Sequence, residues 1–203
     1  MKKLGNAKGA TGAAITGALA LVLLQGSSAD AGDETASAGP ATVCVGTRPV
    51  GSLPGPGPEV GPPDDTPLYR VLAYIDQLAK GRYSGVYTGL SVDEDDRAAD
   101  VYRIPSREFD ADICGAAEKG VTVRLHDTDA TEVELEALVD RIGEDMHRWD
   151  GTFSLREVGA DEAGFVFVGV DDPAKAGPIL REAYGAFGKK YIKVHHVEQA
   201  TAL

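Results

Sequence analysis

Four histidines, His126, His147, His195 and His196, are the side chains best suited to general-base or metal-ligand chemistry near neutral pH. A site joining His126 to the His195–His196 pair conflicts with strand geometry. Adjacent strand residues point to opposite faces, and in an antiparallel sheet whose first and last strands are neighbours, His126 at the end of the first lies beside the start of the last, near Tyr191. The expectation is ordinary half-buried and solvated imidazoles, with no metal. Three acidic clusters, residues 93–96, Asp127 with Asp129, and Asp171 with Asp172, carry the oxygen ligands that calcium needs. A solvated hairpin tip and helix N-caps explain them more simply. There is no G-x-S-x-G, H-E-x-x-H, G-x-x-x-x-G-K-[ST] or EF-hand pattern, and the Gly55-x-Gly57 pair lies among prolines. No catalytic residue and no cofactor is assigned.

The two cysteines, Cys44 and Cys114, allow one intramolecular pairing, and an oxidising compartment would preserve it. The amino terminus points to such a compartment. A basic start with Lys2, Lys3 and Lys8 precedes an apolar centre, Ala18–Leu24, and the A-x-A triplet Ala29-Asp30-Ala31, the pattern of a cleaved signal peptide over residues 1–31. Its strongly apolar part is too short to span a bilayer, so a secreted protein without a membrane anchor is expected. Losing three lysines and one aspartate would take the net charge from −12 to −14, which disfavours nucleic acid as a partner.

The elements that would position these groups follow from composition and periodicity. Eight of the 11 prolines fall between Pro40 and Pro67, so residues 32–66 read as a Gly/Pro-rich disordered linker, with Ala41–Val45 its only strand-like island. Residues 67–203 read as a single α+β domain. Thr66 and Pro67 open a helix with Leu68, Val71, Leu72, Ile75, Leu78 and Ala79 at helical spacing up to Gly81. A hairpin of strands 83–92 and 99–104 and a short helix after Ser106 come next. Beyond them stand strand 121–126, helix 130–149, strands 152–158 and 165–170, helix 173–187 and strand 191–197. In the long helix Val133, Leu138, Val139, Ile142, Met146 and Trp149 lie on one stripe, with Glu132, Glu136, Asp140 and Glu144 facing away. Pro178 threatens to kink or delay the last helix. From residue 121 the order is βαββαβ, so the expected fold is ferredoxin-like: one four-stranded antiparallel sheet with helices on one face. No internal repeat is legible.

After the last strand the chain ends Ala200-Thr201-Ala202-Leu203. An Ala-x-Ala segment followed by a large apolar residue, behind a βαββαβ domain, resembles the tails of subtilisin-type protease propeptides and related inhibitors. The resemblance implies that Ala200, Thr201, Ala202 and Leu203 occupy an extracellular protease's cleft as an added strand. Residues 83–95, Val101–Arg103 and 134–142 look like a group of small exported bacterial proteins with no assigned activity. The expected function is therefore that of an exported non-catalytic binding protein, with a propeptide-like protease inhibitor as its sharpest form and another exported protein as the other kind of partner. The alternatives are a secreted enzyme with no recognisable motif and an envelope-associated role through the linker.

Overall fold

A computed structural model describes residues 39–54 and 66–199; the signal-like segment and the tail 200–203 lie outside the described residues. The first helix, α1 (Pro67–Gly81), starts where Thr66 accepts a hydrogen bond from the Tyr69 amide at 3.4 Å and Pro67 fills the first turn. Its Leu68, Val71, Ile75 and Ala79 are buried. The antiparallel hairpin β2 (Tyr87–Asp93) and β3 (Ala98–Arg103) follows. Helix α2 (Arg107–Ala116), capped by Ser106, then carries the chain over to β4 (Thr122–Asp127), which pairs parallel with β3.

The second half repeats that plan. Helix α3 (Glu132–Glu144) begins in a reciprocal capping box between Thr131 and Glu134. The antiparallel hairpin β5 (Leu155–Ala160) and β6 (Val166–Val170) comes next. Helices α4 (Pro173–Ala183) and α5 (Gly185–Tyr191) return the chain to β7 (Ile192–His196), parallel to β6. The helix expected over 173–187 is interrupted at Gly185, whose φ of 68° lies in the left-handed region open to glycine. Pro178 sits inside α4 without ending it.

The molecule is thus two αββαβ halves, each with its own apolar core. The cores share a register: Leu68, Val71 and Ile75 correspond to Leu135, Leu138 and Ile142, and Ala99 and Val101 to Val166 and Val168, since 135 minus 68 and 166 minus 99 are both 67. A repeat exists in topology that the residue types conceal.

Two expectations are corrected. The strands from residue 121 onward do not form one antiparallel sheet. They divide between a four-stranded sheet ordered β1-β4-β3-β2, where β1 is Thr42–Val45, and a three-stranded sheet ordered β5-β6-β7. The mixed α+β class holds. The reason is one of phase: a string of two αββαβ halves contains βαββαβ when read from the strand that closes the first half, and element order does not say which strands pair. The helical crossover through α2 makes β4 the parallel partner of β3.

The supposed linker is also part folded. β1 pairs antiparallel with the outer edge of β4, Cys44 is disulfide-bonded to Cys114 on α2 across 70 residues, and Leu53 is buried. The buried Glu118 carboxylate accepts from the Gly51 and Leu53 amides at 3.1 and 3.2 Å and from Arg70 at 2.8 Å. These contacts hold a Pro- and Gly-rich segment whose own apolar content is small.

Candidate functional site: an acidic cleft between the halves

The halves meet at Gly89. A Cβ there would lie 2.4 Å from Glu162 Cα, so only glycine lets the β5–β6 turn press onto β2. Beside it, the Thr88 hydroxyl donates to the Ala130 carbonyl and lies against the Thr128 hydroxyl, both at 2.5 Å. This seam borders a cleft of about 620 Å³ walled by α1, β2, α3 and the β5–β6 turn.

Helical periodicity supplies most of its charge. Glu132, Glu136 and Asp140 stand four residues apart on α3 and so share one face, and Asp76 and Lys80 stand four apart on α1. With Asp161 and Glu162 the lining holds, among the described residues, six carboxylates and one ammonium. Lys80 is already paired, 3.0 Å from Asp76. That bond, opposed by partial burial and reinforced by the charges of Glu132 and Glu136, raises its pKa. Glu132 is pushed up chiefly by burial. Among the described residues, Glu132, Glu136, Asp140 and Glu162 have neither a hydrogen-bond partner nor an ion pair. Between the carboxylates the lining is apolar, with Leu90, Leu135 and Val139.

Tyr87 reaches the cleft from the first core. It is 3% exposed, yet its hydroxyl hydrogen-bonds to no described residue. Burial raises its pKa, and the nearby charges of Glu132 and Asp76 add to the effect. The hydroxyl therefore stays neutral at physiological pH and can donate or accept.

The residues singled out by type are not assembled into a site. His126 lies on the first sheet, 2.7 Å from Asp100 and stacked on Tyr102. His195 lies on the second sheet, 2.8 Å from Glu157, and His196 bonds the Asp171 carbonyl. His147 is exposed near Asp150. The acidic clusters have structural partners. Asp93 and Asp96 bind Arg124, Asp127 binds Arg103, Asp129 binds Lys190 and Tyr191, and Asp172 caps α4 through the Lys175 amide. Among the described residues, no group of three or more His, Cys, Asp or Glu side chains is placed to hold a metal ion, and no helix is long and apolar enough to cross a membrane. Ala200, Thr201, Ala202 and Leu203 lie outside the described residues. The cleft went unseen in the sequence, although the four-residue ladder on α3 was its signal.

Comparison with family models, with curated proteins and with solved structures gives no match. The functional reading rests on geometry.

Proposed function

We propose that this is an exported, non-catalytic binding protein whose cleft receives a positively charged group of its partner. The observation that carries the reading is the lining itself, six carboxylates against one lysine among the described residues, in a concave site between the two halves. A site of this size and shape suits a small ligand or a single side-chain-bearing segment. The chain's net charge of −12 favours the approach of a cation over long range. The cleft lining contains neither histidine nor cysteine, and its Thr88 hydroxyl is committed to Ala130, which favours binding over nucleophilic chemistry.

Isothermal titration with a short oligolysine peptide at low salt tests this. Binding is expected to weaken with salt and to fall at least tenfold in the triple variant E132Q/E136Q/D140N. Equal binding by the triple variant would overturn the assignment.

The propeptide-like form of a binding protein loses its expected βαββαβ sheet and rests on residues 200–203 alone. Inhibition of a subtilisin-type protease that disappears when Leu203 is removed would restore it.

A further inference from the structure

We propose that the ligand of the cleft is a linear polyamine of three or more amines, lying extended along α3; this rests on the reading of the cleft as a cation site. The ladder sets the length. Four residues of helix rise about 6 Å, so Glu132, Glu136 and Asp140 stand on α3 at two axial steps of about 6 Å each. Amines separated by three or four methylenes in an extended chain stand roughly 5–6 Å apart from ordinary bond lengths. The two periods match.

The surfaces between the charges suit methylenes. The partly exposed Val139 stands between Glu136 and Asp140 on the same helix, and the partly exposed Leu90 lines the β2 side. A chain of ammonium groups on hydrocarbon spacers meets both surfaces at once, as a lysine stem does when it crosses apolar ground. Lys80 supplies the precedent, since an ammonium on a methylene stem already sits against Asp76 in the same cleft.

Tyr87 is the second, independent observation. The Tyr87 side chain is 97% buried and lines the cleft with Asp76 and Glu132, and its hydroxyl, bonded to no described residue, is open to a ligand there. It can accept from the terminal ammonium, whose other hydrogens go to the carboxylates. A compact divalent cation makes poorer use of the site, because it needs several oxygens converging on one point and the ladder spreads them along a line.

The experiment is calorimetric titration of the full chain with spermidine, 1,3-diaminopropane, oligolysine and Mg²⁺ at matched ionic strength. The expected result is binding that strengthens about tenfold from diamine to triamine and exceeds that of Mg²⁺. It should drop at least tenfold in E132Q/E136Q/D140N and three- to tenfold in Y87F, with an unchanged melting temperature certifying each fold. Spermidine binding no tighter than Mg²⁺, or undiminished in both variants, overturns the proposal. If oligolysine binds in a ladder-dependent way and spermidine does not, the polyamine falls while the cation cleft stands; if neither binds, both fall.

Discussion

The first half and the second half bury equivalent core columns with different chemistry around them. In the second, the columns are apolar throughout, and Trp149, Phe153, Tyr184 and Tyr191 close the ends. In the first, position 103 on β3 holds a buried arginine where β6 holds Val170, and the arginine binds Asp110 on α2 at 2.6 Å and Asp127 on β4. A second buried pair, Arg70 with Glu118, and the Cys44–Cys114 bond fasten the extra strand. The comparison teaches that the αββαβ plan needs only its apolar columns. The polar and covalent fastenings accompany what the first half adds to that plan, a segment too poor in apolar residues to hold itself in place.

That contrast can be broken first at Glu118. Glu118→Ala takes the acceptor from the Gly51 and Leu53 amides and one ion-pair partner from the buried Arg70, and should cost about 3 kcal/mol in urea denaturation. A loss below about 1 kcal/mol would mean the clamp is ornamental. Burial pushes the Glu118 carboxyl up, but Arg70 and the Gly51 and Leu53 amides outweigh it, so its folded pKa lies below the ordinary 4.5. The stability it contributes is complete above that ordinary value and disappears as pH falls through the folded one. Glu118→Gln should flatten this acid limb of the stability curve.

Replacing Cys44 and Cys114 by serine opens a loop of 70 residues, worth about 4 kcal/mol in chain entropy before any offset. Hydrogen exchange should then rise in residues 42–53 while β5 to β7 stay protected. Equal loosening of both halves would show that the fastening serves the whole molecule. Ile142→Ala, at a fully buried position of the apolar half, should cost about 3 kcal/mol, and the matching Ile75→Ala a similar amount. A large difference between the two would deny that the columns are equivalent. The smallest effect is expected from Arg103→Leu, about 1–2 kcal/mol, because Asp110 and Asp127 are 27% and 55% exposed and can turn to water. A melting curve unchanged within error would show that the apolar solution of the second half serves the first equally well.

Most elements were legible in the residues. Thr66-Pro67, Ser106 and Asp172 mark helix starts that the structure reproduces, and the alternation through Val166, Val168 and Val170 marks a strand buried on one side. Strand partners were not legible, because pairing is decided by crossovers such as α2, which leave no periodic trace. The repeat was hidden because Ala99 and Val166, or Arg103 and Val170, fill equal places with unequal side chains. The strand island at Ala41–Val45 was visible, but its proline-rich surroundings hid the contacts that fold it. The cleft escaped for a related reason. Glu132, Glu136 and Asp140 were seen to face away from the α3 core, but only the fold brings α1 and the β5–β6 turn opposite them.

The contact at Gly89 has a mechanical meaning. Two separately packed bodies touch there backbone to backbone, with no side chain between them. An alanine methyl would act as a shim, tilting the β5–β6 turn away from β2 and opening the jaw of the cleft while leaving its charge untouched. The width of the jaw is thus set by one missing carbon atom, an adjustment independent of the chemistry that lines it.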